Sequence, residues 1–423
     1  MISINEIKDK ALHSIYPNLY GKNIDLDYYD NRFISLLENH FELFKNEKAS
    51  IFSTAGRTEL GGNHTDHNLG KVLAASINLD TIAAVNKTDD NIATIISEGF
   101  DPVSINLNNL DYSKNEENTT QALVRGIAYS FSKRNLKVGG FVANTTTNVL
   151  KGSGLSSSAA IEVLCATIFN HLYNNDILTP LELAQIGQFA ENNYYGKPSG
   201  LMDQLACASG GIISIDFKEK ETPKLINIPF NFNEMGYDLI IIDTKGSHDD
   251  LTHCYSSIPF EMKEIAQFFN KEVLREVSFS DFLNNLPLLK ATIKNDRAIL
   301  RAFHYFNENL RVEQMCKSLE QKDVNTYFKL VKESGKSSYE YLQNLYDNTN
   351  PKEQSLGVGL ALLDTLLGDK GAYRVHGGGF AGTIQAYIPL SESELIISKI
   401  KCLFGKDSVT KLHIRKKETI CFA

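Results

Sequence analysis

The chain has 423 residues, enough for roughly two or three domains, and its 42% hydrophobic and 22% charged residues are the balance of an ordinary globular protein. A net charge of −8 argues against general nucleic-acid binding, which needs basic patches, and requires an anionic substrate to meet locally placed cations. The six cysteines are scattered with no C-x-x-C pair, the N-terminal segment is charged with no signal-peptide core, and no apolar run reaches membrane-spanning length; these features predict a cytoplasmic protein with no zinc framework and no membrane partner.

Residues 1–50 read as helical, with Leu36, Leu37, His40, Phe41 and Phe44 recurring at helical spacing. Ile51 to Thr54 reads as a strand entering an unusual loop, G-R-T-E-L-G-G-N-H-T-D-H-N-L-G from Gly56 to Gly70. Short strands are expected at 72–79, 81–86, 93–97 and 103–107, which makes the first half α+β, and a polar loop at 113–119. Gly140 to Val149 reads as a strand and Ile161 to Tyr173 as a buried helix. Thr179, Pro180 and Glu182 form the start of another helix, a capping box with proline in its first turn, and Glu191 closes it. A glycine-bearing loop at 195–204, with Asp203 on the loop, leads to a strand from Gly210 to Phe217. The polar, proline-containing stretch Lys218 to Pro229 is the best candidate boundary and divides the chain into 1–225 and 226–423. A buried strand is expected at 237–243 and helices over 257–345. Two final strands, Ala372 to Val375 and Thr383 to Ile388, flank the glycines Gly377 to Gly379.

The stretch between the 140–149 strand and the following helix is the centre of the sequence. Gly152 and Gly154 lie in a turn that delivers the chain to a helix N-terminus, where free N–H groups and the positive end of the dipole attract an anion. Ser156, Ser157 and Ser158 add hydroxyls able to hold phosphate oxygens or magnesium. The alternative is a small-residue turn capped by a serine. A Walker loop is absent: Gly335-Lys-Ser has Leu330 where the earlier glycine is needed. In the first loop Arg57, Glu59, Asn63, His64, Asp66 and His67 crowd together, a set suited to a polyhydroxylated ligand or a metal. The metal reading takes His64, Asp66 and His67 with His248 or His253, but the spacing matches no zinc motif. Taken alone, Asp203 is a turn former and Tyr255 and His248 are structural.

Together these stretches resemble the galactokinases of the GHMP small-molecule kinase superfamily, from about residue 50 to about 390. Gly56 to His67 resembles the signature G-R-V-N-L-I-G-E-H-T-D-Y; Gly152-Ser-Gly-Leu-Ser-Ser-Ser-Ala-Ala resembles the phosphate loop; Gly200-Leu-Met-Asp-Gln resembles G-I-M-D-Q; Gly377-Gly-Gly-Phe-Ala-Gly resembles G-G-G-F-G-G; and His248 with Tyr255 resembles H-x-x-x-x-x-x-Y. The resemblance implies an α+β fold of two domains, with mixed sheets and helices and the active site in the cleft between them. It implies ATP-dependent phosphorylation of a sugar, first of all galactose, at the anomeric hydroxyl. In that reading Asp203 acts as base or orients the hydroxyl, and Arg57 stabilises charge. Asn63, His64, Asp66, Gly200 and Tyr255 bind sugar. Gly152, Ser153, Gly154, Leu155, Ser156, Ser157, Ser158 and Ala159 bind ATP, and Ser158 (or Ser157) with Glu191 holds Mg²⁺. The partners implied are the sugar and ATP alone, on a monomer or weak homo-oligomer. Among the departures from the pattern, Asn63 replaces the acidic residue of the signature, His67 its tyrosine, Leu150 a proline and Ser199 a cysteine. The first two predict altered reading of the sugar, Asn63 at its hydroxymethyl end. The alternatives are a kinase for N-acetylgalactosamine or arabinose, and a non-catalytic sugar sensor; known sensors lack residues where this chain keeps Ala159-Ala160.

Overall fold

A computed structural model describes residues 1–22, 24–149, 154–246, 251–380 and 382–422. Three helices open the chain: α1 (Ile4–Lys8), α2 (Tyr16–Tyr20) and α3 (Leu26–Phe44). Asp25 caps α3 by accepting from the Tyr28 amide, and Phe33, Leu36 and Leu37 pack with Tyr16 and Tyr20. Phe41, expected on that stripe, is exposed. Two long strands follow, β1 (Ser50–Gly61) and β2 (Lys71–Lys87). β1 runs on through Arg57 and Glu59, so these two residues stand on a strand and not in the expected loop; register shifts around Gly56 and Leu60 mark bulges. β2 is one strand where a break at Asp80 was expected. The Asp80 carboxylate is buried between Arg32 (2.5 Å), Ser53 (2.6 Å) and Tyr20 (2.8 Å), so a charge that reads as a turn is satisfied inside the sheet.

The first sheet is completed by β3 (Ile92–Ser97), β4 (Val103–Asn106) and, after α4 (Thr120–Lys133), β5 (Phe141–Thr147). Then come α5 (Ser157–Asn174), α6 (Pro180–Ala190), α7 (Met202–Ser209), β6 (Ile212–Asp216) and β7 (Lys224–Ile228). The capping box predicted at Thr179 and Glu182 is present. Ile82 and Ala84 face the α1–α3 core while Ala83 and Val85 face the core under α4 and α5, so the sheet is covered on both faces and β1 is buried throughout. Lys218 to Pro229, read from sequence as a connection, contains β7, which pairs along β6; a division at 225/226 would cut that hairpin.

The second half contributes β8 (Tyr237–Asp243), then α8 (Thr252–Phe268), α9 (Phe279–Asn284), α10 (Leu286–Ile293), α11 (Asp296–Glu320), α12 (Val324–Ser337) and α13 (Ser355–Leu367). It closes with β9 (Ala372–His376), β10 (Thr383–Pro389), α14 (Ser393–Phe404), β11 (Val409–Leu412) and β12 (Ile420–Cys421). The first sheet runs β12-β1-β2-β5-β3-β4, with β6 and β7 branching from β2, and is mixed because β3 and β5 are parallel. The second is antiparallel, β11-β8-β10-β9. One core joins them: Leu73 of β2, Val163 of α5 and Leu205 of α7 pack with Val312 and Met315 of α11 and Ile241 of β8. This is the α+β class that the resemblance implies, with one mixed sheet where mixed sheets were expected and a second that is antiparallel throughout. No helix among the described residues is long and apolar enough to cross a membrane.

Candidate active site

Asp203 lies in the first turn of α7, not on a loop as its glycine neighbours suggest. Arg57, projecting from β1 and 6% exposed, meets it as a fork: Nε donates to Oδ1 and Nη2 to Oδ2, both at 2.7 Å. Arg57 Nη1 donates to the Gly154 carbonyl, and the Ser156 hydroxyl donates to Asp203 Oδ2 at 2.5 Å. Burial pushes the Asp203 carboxyl up, but the Arg57 charge and hydrogen bonds and the Ser156 hydroxyl outweigh it and hold the group below the usual aspartate range. Three of the roughly four lone-pair sites of a carboxylate are thereby filled, and one on Oδ1 is left for a substrate hydroxyl.

Of the expected phosphate turn, Gly152 and Ser153 lie outside the described residues, as does His248. Gly154 has φ +69°, and a Cβ there would lie 3.2 Å from His376 Nδ1 and 3.3 Å from Thr383 Oγ1. The Leu155 carbonyl accepts from the Arg57 amide at 3.0 Å, an approach that Gly56 permits by having no side chain. Leu155 and Ala159 bury their side chains in the core, so only their backbone is on offer. Ser156 occupies the cap position of α5 in a left-handed conformation, φ 60°, but makes no capping bond. Its hydroxyl serves Asp203 instead, which leaves the first N–H groups of α5 for an anion. The capped-turn alternative is therefore set aside. Ser157 is half-buried and Ser158 exposed, both on the opening turn of α5.

The glycine-rich signature divides in two. His64, at φ 57°, donates from Nε2 to the Gly378 carbonyl at 3.0 Å; burial pushes its ring down to about 4, so it is neutral at pH 7. The Asp66 carboxylate lies against Gly200, where any Cβ would overlap it. Tyr255, on the first turn of α8, donates to the Gly379 carbonyl at 3.1 Å and sets its ring edge-on to Phe380. Asn63 and Glu59 are both buried: Glu59 pairs with Arg374 of β9, and Asn63 Nδ2 donates to Glu59 (3.2 Å) and the Gly377 carbonyl (2.6 Å) while its Oδ1 accepts from Asn344 (2.8 Å). That amide is engaged on both its nitrogen and its oxygen, as the His64 ring and the Tyr255 hydroxyl are engaged by the same glycine loop. The metal reading of His64, Asp66 and His67 lacks support: among the described residues the metal-capable side chains that converge are His253, Cys254 and Asp347.

Glu191 ends α6 and opens a π turn (Glu191–Tyr195) that carries the chain back towards Asp203. Its Oε2 accepts from Gln204 at 2.8 Å, and the same amide donates to Glu162 Oε2 at 2.9 Å. Glu162 Oε1 and Gln204 Oε1 are buried without a partner among the described residues, and the Lys197 ammonium already sits 2.8 Å from Glu191 Oε1. Burial and the neighbouring Glu191 charge push the Glu162 carboxyl well above the usual range. Lys197 thus places one cation on the Glu191 carboxylate, the ligand type a hard dication such as Mg²⁺ takes. Sequence reasoning missed Ser156 as a partner of Asp203, and also Lys197, Glu162 and Gln204; the only signal for the last was its place directly after Asp203.

An arginine-clamped carboxylate beside the uncapped N-terminus of α5 is the arrangement of a small-molecule kinase, and residues 122–211 match the family described as GHMP kinases N terminal domain. Residues 38–87 match the galactokinase galactose-binding signature. A galactokinase of Clostridium tetani is 31% identical over 360 residues, 84% of this chain and 88% of that protein. The chain belongs to the galactokinase family. Among solved structures, Lactococcus lactis galactokinase complexed with galactose superposes with TM-score 0.77 at 23% identity, covering 92% of this chain and 100% of that one. Mevalonate kinase of Methanococcus jannaschii does so with TM-score 0.61 at 15% identity, covering 87% and 98%.

Proposed function

We propose that the chain is an ATP-dependent galactokinase, forming galactose 1-phosphate and ADP. The observation that carries this is the Arg57–Asp203–Ser156 constellation against Gly154 and the start of α5, in a chain whose residues 38–87 match a galactose-binding signature. The sugar's anomeric oxygen attacks the γ-phosphorus, the bond to the β,γ-bridging oxygen breaks, and the hydroxyl proton passes to Asp203 Oδ1. Because its carboxyl is held low, Asp203 orients the hydroxyl and takes the proton late, which suffices when phosphoryl transfer asks mainly for positioning. Arg57 fixes the carboxylate and joins it to the phosphate turn. The backbone of Gly154 to Ala159 with the hydroxyls of Ser157 and Ser158 receives the phosphates; Gly152 and Ser153 belong to the same motif by sequence. Glu191 with Ser158 or Ser157 would hold Mg²⁺, which when bound neutralises charge on the β- and γ-phosphates. Asn63, His64, Asp66, Gly200 and Tyr255 are the residues assigned to the sugar.

The test is ADP release from ATP over a panel of monosaccharides, with the product identified by ³¹P NMR. Galactose should be the best substrate. Turnover only with N-acetylgalactosamine or arabinose would assign the chain to a sister kinase, and galactose binding without turnover would make it a sensor.

A further inference from the structure

We propose that His253, Cys254 and Asp347 form a binding site for a zinc-type dication, distinct from the magnesium position at Glu191. His253 and Cys254 are neighbours on the first turn of α8, and Asp347 arrives from the connection between α12 and α13. Cys254 Sγ lies 3.3 Å from His253 Nε2, His253 Nε2 lies 3.7 Å from Asp347 Oδ1, and all three ligand atoms fall within 4.8 Å of one another. Tetrahedral bonds of about 2.0 Å to nitrogen and oxygen and about 2.3 Å to sulfur set ligand atoms roughly 3.3–3.6 Å apart, so an ion enters with only small side-chain rotations. The cysteine spacing predicts no zinc framework because the third ligand stands 93 positions beyond Cys254 (347 − 254) and is brought in by folding alone.

The arrangement asks for more than a hydrogen bond. A thiol or ring proton joins two of the three atoms, whereas a dication draws on sulfur, nitrogen and oxygen at once. The Asp347 carboxylate is already oriented: Oδ1 accepts from the Thr349 amide at 2.9 Å and Oδ2 from the Thr349 hydroxyl, and Oδ1 keeps a second lone pair for an ion. Cys254 is buried, Asp347 half-buried and His253 exposed, so the site has a protein floor and an open side where water completes the fourth position. The donors choose the metal, since thiolate and imidazole suit Zn²⁺ while Mg²⁺ holds to oxygen. The residues beside these ligands hold the third glycine loop. Tyr255, next to Cys254, donates to the Gly379 carbonyl, and the carbonyl of Asn344, three residues before Asp347, accepts from the Phe380 amide at 2.5 Å. A bound ion therefore cross-links two segments that grip this loop.

The test titrates chelator-treated protein with Co²⁺, a spectroscopic stand-in for Zn²⁺, without sugar or nucleotide. One equivalent should give a thiolate-to-cobalt charge-transfer band that Zn²⁺ abolishes by displacement and that excess Mg²⁺ leaves in place. Cys254→Ser should remove the band. His253→Ala and Asp347→Asn keep the buried thiol and should raise the Co²⁺ and Zn²⁺ Kd by at least about tenfold, the loss seen when even an outer partner of a metal ligand is removed. With Zn²⁺ bound, amide hydrogen exchange in 251–256 and 344–349 should slow together. A wild type without the band, a band that survives Cys254→Ser, an unchanged Kd in either His253→Ala or Asp347→Asn, or slowing confined to one of the two segments overturns the proposal. If Cys254→Ser fails to fold, the other two variants decide it. Because neither sugar nor ATP is present, the outcome is independent of the kinase reading.

Discussion

Asp203→Asn keeps the size of the side chain and removes its charge. In the wild-type protein Oδ1 accepts from Arg57 Nε and Oδ2 from Arg57 Nη2, each at 2.7 Å, and Oδ2 also takes the Ser156 hydroxyl at 2.5 Å. An amide must point its NH₂ group at one of these donors, so at least one charge-assisted bond becomes a donor–donor contact. Removing one partner of a buried ion pair costs about 3–5 kcal/mol, but the Asp203 side chain is 35% exposed and water screens it, so about 1–2 kcal/mol of stability should be lost. The rate suffers more. The substrate hydroxyl loses both its proton acceptor and the arginine-fixed geometry, and kcat should fall by about 10²–10⁴. Galactose affinity should change by less than about tenfold, since a single hydrogen bond to the sugar is altered rather than removed. Coupled ADP release gives kcat, calorimetry gives the galactose Kd, and a thermal melt reports the fold. A folded variant that keeps more than about a tenth of wild-type kcat would refute the assignment of Asp203, because no positioned acceptor is so cheaply lost.

Ser156→Ala removes the hydroxyl from Asp203 Oδ2 and leaves Arg57 in place, so kcat should drop by about three- to tenfold with the ATP KM little changed; a selective loss of ATP binding would mean that Ser156 serves the phosphates instead. Gly154→Val sets a branched side chain at φ +69° against His376 and Thr383, and calorimetry should show ATP binding weakened more than galactose binding. Equal losses would point to misfolding. Stability should also fall in mild acid. His64 in the native protein is held down to about 4, whereas an unfolded chain takes up that proton near pH 6.5, so stability present above about pH 6.5 is lost as pH falls towards 4, by at most about 3 kcal/mol. Urea unfolding from pH 7 to 4.5 should show this loss, and His64→Gln should flatten it; a slope as steep in the variant would remove His64 from the account.

Elements whose signals are local are legible in the chain before it folds. The capping box at Thr179 and Glu182, the apolar run of α5, the buried strand β8 and the glycine turn between β9 and β10 are all written in neighbouring residues. The ordered motifs named the chemistry only through their resemblance to galactokinases; the glycines and serines alone left a capped turn as an equal reading. Tertiary structure decided what the polar residues do. Asp80 reads as a break and is an interior anion, because Arg32 and Tyr20 arrive from helices some 50 positions away. β7 reads as a linker because most of its residues are exposed on an edge, with no alternation to betray it. Asp203 reads as a loop residue because α7 has no capping side chain to announce it. Asn63 sits in the signature loop, but its bonds to Gly377 and Asn344 span 314 and 281 residues of chain, a separation that only folding closes.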